Sequence, residues 1–176
     1  MKRTKLSYRW TAILLAGLCV VLMLSGRWTL ASSIAPDQGF RTQLLGTWRV
    51  VAAEDRANEQ SAWEHWYGLH PSGYFIYDTT GHVSIQICPD PPPAKFVSGD
   101  DFTPTANEAM AAYTHYLAYF GTYTVDEKRH LVTHHVEGSL LPSYTKTDQL
   151  RPYVLEGNRL ELGDGKTWRR VLERVN

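Results

Sequence analysis

The feature that most limits what this chain can fold into is its punctuation. From Gly46 onward, short runs of β-branched and aromatic residues are cut by Gly, Asp, Asn or Pro at close intervals. That spacing belongs to an all-β sandwich or barrel, not to helices. It predicts strands over 46–53, 74–77, 82–88, 119–125, 130–139, 148–156, 159–162 and 167–175. Asp78-Thr79-Thr80-Gly81, Gly157-Asn158 and Gly163-Asp164-Gly165-Lys166 supply turns between them, with Gly where φ > 0 is needed. Eight antiparallel strands can close into an up-and-down barrel whose interior holds one small ligand. The expected fold is therefore all-β, an eight-stranded antiparallel barrel.

One stretch breaks the pattern. Residues 89–105 carry five prolines and read as a loop. Residues 105–119 then read as the one inserted helix, because Met110, Tyr113, Tyr116 and Leu117 recur at three- and four-residue spacing. Thr105 with Glu108 three residues on is a capping-box pattern. An insertion of this kind can lid the mouth of a barrel.

The N-terminus reads as an export segment. Lys2, Arg3, Lys5 and Arg9 precede an apolar run from Thr11 to Ser25, and Thr29-Leu30-Ala31 offers small residues for cleavage. The expected organisation is a signal peptide over 1–31, a polar linker over 32–39 and the barrel over 40–176. The location is then periplasmic or secreted. The alternative is an uncleaved anchor, since residues 10–26 reach the short end of a bilayer span. Loss of 1–31 removes five of the eighteen basic residues and none of the eighteen acids, so thirteen face eighteen and the net charge is −5. A mildly acidic domain with no Lys/Arg cluster argues against nucleic acid and anionic membrane as partners. Membrane contact is expected only through an uncleaved N-terminal segment, and the barrel is expected to be a monomer. Cys88 would be the one cysteine left, so no internal disulfide can form and the core alone must hold the fold.

Several segments together resemble a known family. Gly46-Thr47-Trp48 is similar to the G-x-W opening of lipocalins, in which the Trp plugs the closed end of the barrel. Residues 71–77, 81–86, 118–123, 133–139 and 149–160, in that order and spacing, resemble the bacterial and fungal lipocalin-like domain family. The C-terminal Trp168-Arg169-Arg170-Val171 resembles its W-x-R-V ending. The resemblance implies a calycin-type barrel with small-molecule binding, and gives Gly46, Trp48 and Arg170 structural roles, a late Arg packing over Trp48. It carries over no catalytic motif, and fold does not fix function.

Strand alternation sorts inward from outward positions. Val132, His134 and Val136 share the apolar face of their strand, so His134 points into the barrel and His135 into water. Arg151, Tyr153 and Leu155 form one phase of theirs and Leu150, Pro152 and Val154 the other, which is also apolar, so alternation leaves both open. The first is placed inside because Pro152 and Glu156 then face outward. The same counting turns Trp48, Tyr77 and Tyr123 inward. The expected ligand-binding residues are Tyr77, Tyr123, His134, Arg151 and Tyr153. Arg151 can meet a ligand carboxylate, phosphate or enolate oxygen with two parallel hydrogen bonds; it can equally pair with a protein carboxylate or carbonyl. His134 can bond a ligand, act as the catalytic acid/base if the protein is an enzyme, or be a core histidine satisfied by tyrosines. No metal or cofactor is expected: His130 and His134 are four strand residues apart, about 13 Å at ~3.3 Å per residue. His65 and His70 lack ligand spacing. The leading expectation is an exported barrel that binds or carries a small, mainly apolar molecule, neutral or anionic. The alternatives are an isomerase or cyclase using the same cavity, and a ligand-free structural envelope domain.

Overall fold

A computed structural model describes residues 39–175; the expected signal segment, most of the linker and the final residue lie outside the described residues. The described part begins with a short helix, α1 (Phe40–Leu44), followed by strands β1 (Gly46–Asp55), β2 (Ser72–Tyr77) and β3 (His82–Cys88). Helix α2 (Ala106–Thr114) precedes β4 (Leu117–Asp126), β5 (Leu131–Ser139), β6 (Asp148–Glu156), β7 (Arg159–Gly163) and β8 (Trp168–Arg174). Each strand pairs antiparallel with the next, and β8 pairs back onto β1 to close the barrel.

The turns follow from their side chains. Asp78 Oδ1 accepts from the Thr80 and His82 amides at 2.9 and 2.8 Å, holding the β2–β3 turn. Asp164 Oδ1 accepts from the amides of Lys166, Thr167 and Trp168 at 2.8, 2.7 and 3.1 Å, and so fixes the start of β8. Such bonds are why Asp is favoured at tight turns. Gly157, at φ +59°, supplies the left-handed residue of the two-residue β6–β7 hairpin.

The barrel has one plugged end. Trp48 is fully buried there and donates Nε1–H to the Leu44 carbonyl at 2.8 Å, which ties β1 to α1. Phe40 of α1 stacks on Tyr153 of β6. The cation over Trp48 is Arg174, its guanidinium carbon 4.2 Å from the ring centroid, and the same side chain donates to the carbonyls of Leu45 (2.7 Å) and Gln43. This corrects the assignment of that role to Arg170. Arg170, Leu172 and Arg174 occupy alternate positions of β8, so the phase was legible. Trp48 is the register partner of Arg174, and Arg170 lies four strand residues, about 13 Å, nearer the other end.

Helix α2 also differs from expectation. Its N-terminal capping box is formed by Thr105 and Glu108, but the helix stops at Thr114 and none of its residues is buried. Leu117, Tyr119, Gly121 and Tyr123 alternate inward along β4 instead, because pairing with β3 on one side and β5 on the other satisfies their backbone and buries their side chains together. Tertiary pairing overrides the helical spacing of Tyr116 and Leu117.

The phase of β6 matches the expectation: Tyr153 is buried, Arg151 and Leu155 are half-buried, and Leu150 and Val154 are 56% and 57% exposed. The plug predicts that Trp48→Ala costs roughly 3–5 kcal/mol, the usual range for truncating a buried Trp. Urea unfolding would check this, and a loss under about 0.5 kcal/mol would show that Trp48 does not anchor the closed end.

Candidate functional site

The strand directions place α1 and the β2–β3, β4–β5 and β6–β7 turns at the plugged end, and the longer connections 56–71, 89–116 and 140–147, with the β7–β8 turn, at the other. A cavity of about 210 Å³ opens there. Its apolar floor is Phe75, Leu117 and Leu162, and its polar groups are Asp55, Tyr67, Tyr119, Tyr144, Arg151 and Arg170, with Trp168 and Leu141 completing the wall.

The two arginines differ in what neutralises them. Arg170 Nη2 donates to both Asp55 carboxylate oxygens at 3.1 Å, and its Nη1 donates to the Glu54 and Arg169 carbonyls at 2.9 Å. Arg151 donates to neutral acceptors, the Leu150 carbonyl at 3.2 Å, Gln149 Oε1 at 3.1 Å and the Tyr119 hydroxyl. Among the described residues it makes no ion pair; the acids nearest the mouth are taken, Asp55 by Arg170 and Glu54 by Arg169. Both guanidinium groups approach the Trp168 ring, at 5.1 Å for Arg151 and 5.7 Å for Arg170.

Below the cavity runs a buried polar chain. His134, with no exposed surface, has Nε2 2.8 Å from the Tyr77 hydroxyl and Nδ1 2.8 Å from the Tyr119 hydroxyl. Burial, reinforced by the charge of Arg151, holds the His134 pKa well below its usual value. Burial likewise raises both phenols: Tyr77 well above its ordinary value, and Tyr119 up to about 12 even though Arg151 pulls the other way. All three groups are therefore neutral near pH 7.

Of the five residues expected to bind a ligand, only Arg151 lines this cavity. His134 and Tyr77 sit beneath it, one and two hydrogen bonds from Tyr119. Tyr123 donates its hydroxyl to the Asp78 carbonyl at 3.1 Å, and Tyr153 is stacked on Phe40; both lie toward the plugged end. Strand phase tells which face a side chain takes but not its depth along the barrel. The polar and aromatic cavity residues missed from sequence are Tyr67, Tyr119, Tyr144, Trp168 and Asp55, and the apolar ones Leu117, Leu141 and Leu162. Tyr119 lies within the expected strand 119–125, in the inward phase of Tyr123, and was findable from it. Tyr67 and Tyr144 sit on loops, where no periodicity marks them.

The insertion does not lid the cavity. Trp66 Nε1 donates to the Thr114 carbonyl, the Asp90 amide donates to the Tyr67 carbonyl, and His115 Nδ1 lies 3.1 Å from the Trp66 carbonyl. The 89–116 connection is thus sewn to the 56–71 loop, and none of its residues is part of the lining. A wider groove of about 930 Å³ lies outside the barrel against β1 and β2, where Cys88 is half-buried. Its polar wall includes Arg49 and Glu173, which pair with each other at 2.8 Å. Outward-facing His135 bonds Asp148 and Thr124. Among the described residues no group of three His, Cys, Asp or Glu could hold a metal ion.

The lipocalin-like domain family matches residues 45–173, and the chain belongs to that family. None of the curated proteins compared with the chain matches it. A lipocalin-like barrel suggests small-molecule binding in general.

Neutral His134 has a consequence for stability. Below about pH 6.5 the unfolded chain gains a proton at this histidine that the folded barrel refuses, so stability falls as pH falls. The slope from this group approaches about 1.4 kcal/mol per pH unit. Urea unfolding at several pH values should give a shallower acid slope for His134→Gln than for the parent. Equal slopes would mean that His134 takes up its proton in the folded state as readily as in the unfolded chain.

Proposed function

We propose that this is an exported binding protein that holds a compact anion, with a carboxylate or enolate oxygen on a flat apolar body, in the open end of its barrel. The observation that carries this reading is Arg151: a cation on the cavity wall whose own partners are neutral, while the neighbouring arginine has a carboxylate of its own. A guanidinium partly removed from water gains most from an anion that can accept two parallel hydrogen bonds. The hydroxyls of Tyr67, Tyr119 and Tyr144 surround the same space, and Phe75, Leu117 and Leu162 offer an apolar floor.

Size narrows the ligand further. At about 210 Å³ the cavity falls below the ~300–1,000 Å³ typical of drug-sized ligand sites. A long acyl chain has no room inside the barrel, whereas a single ring bearing one acidic group does. Proton-transfer catalysis draws less support, because His134 does not line the cavity and could act only through Tyr119. Export rests on the basic start and apolar run of the first thirty-one residues.

Arg151→Met separates this reading from a purely structural arginine. Titration calorimetry with benzoate should show at least about a tenfold loss of affinity, the scale of one charge-assisted contact at ~1.5–3 kcal/mol. Stability should hardly fall, since no protein carboxylate is left unpaired. Unchanged benzoate binding with a large loss of stability would contradict the proposal.

A further inference from the structure

The buried chain beneath the cavity has a direction, fixed by counting donors and acceptors. Tyr77 is 1% exposed, and its hydroxyl has one hydrogen-bonding partner among the described residues, His134 Nε2. A buried O–H left without an acceptor is costly, so Tyr77 donates and Nε2 accepts. A protonated imidazole would turn both ring nitrogens into donors and orphan that Tyr77 proton, so the geometry itself requires neutral His134. Its single proton is then on Nδ1, and Nδ1–H donates to the Tyr119 oxygen 2.8 Å away. Tyr119 therefore receives a hydrogen bond from below and must send its own proton elsewhere. Arg151 also hydrogen-bonds that hydroxyl, but a guanidinium only donates and cannot take the proton, and the residue lines the cavity.

We propose that Tyr119 is the specificity-determining residue of this cavity, presenting an outward O–H whose direction is set by the buried Tyr77–His134 pair, so that a bound ligand must offer an acceptor oxygen there. The inference rests on the anion reading above and deepens it. Arg151 has no acceptor to give, and the Tyr119 oxygen is already occupied from below. An amide's carbonyl oxygen can accept from Arg151, but its N–H groups then face the Tyr119 O–H, another donor, and lose hydration without return. A carboxylate meets two complementary partners. His134 is here a positioning residue that acts through Tyr119, and Tyr77 one step further back.

Two measurements test this on the whole protein. Nitrogen NMR of protein labelled at histidine, with the resonance assigned through His134→Gln, should show His134 protonated on Nδ1 and bare on Nε2 without any ligand present. The opposite tautomer would overturn the inference whatever binds in the cavity. Calorimetry with benzoate and benzamide should then show Tyr119→Phe losing about tenfold or more in benzoate affinity, with a much smaller change for benzamide. Tyr77→Phe leaves the cavity lining intact yet should also weaken benzoate, by less, with both tautomers populated in the nitrogen spectrum. Benzoate binding that falls in Arg151→Met but is unchanged in Tyr119→Phe would sink this inference and leave the anion reading standing. No benzoate binding by the parent protein would sink both.

Discussion

Pairing of β8 with β1 turns a meander of short strands into a tube, and most of what the protein can do is limited by that closure. A closed eight-stranded barrel has no free sheet edge, and its interior is barely wider than the side chains that fill it. Trp48, Leu44 and the α1 helix occupy the plugged end. Tyr77, Ile85, Val132 and His134 are buried in the interior. Open space is then left only where the strands run out toward the long loops. The small cavity is a consequence of barrel geometry more than of any single residue.

Within so narrow a tube a polar group survives only if every one of its hydrogen-bonding atoms is met. The Tyr77–His134 pair meets that condition with neutral partners, Tyr119 turns its remaining proton toward the cavity, and among the described residues no buried side-chain polar atom lacks a partner. Arg151 is tolerated for a different reason. It sits at the rim, half-buried, with its guanidinium near the Trp168 face and two neutral oxygens. Arg170 shows what the same side chain does when the barrel supplies a carboxylate: Asp55 ties it down, and it serves the fold. The contrast between these two arginines separates a structural cation from one with spare capacity.

Much of this was legible in the chain itself. Eight strands, their antiparallel order and the inward phases of Trp48 and His134 follow from alternation and turn chemistry, because a one-residue slip would put apolar groups into water. That of Tyr153 did not, since Leu150 and Val154 make the other phase apolar too. Depth was not legible. Alternation repeats identically along a strand, so it could not tell Arg170 from Arg174, nor show that Tyr123 and Tyr153 lie near the plug. The end of α2 was misplaced because Tyr116 and Leu117 satisfy a helical spacing locally, and only pairing with β3 and β5 decides against it. Tyr67 and Tyr144 come from loops whose path depends on long-range contacts, such as the Asp90–Tyr67 backbone bond.

The central claim is that the charge of Arg151 is left for a ligand. A crystal structure of the protein grown with benzoate tests it most directly. The account places the carboxylate within hydrogen-bonding distance of both Arg151 and the Tyr119 hydroxyl, with the ring against Phe75 and Leu162. Benzoate absent from the cavity, with Arg151 paired to a carboxylate of its own chain, would contradict it.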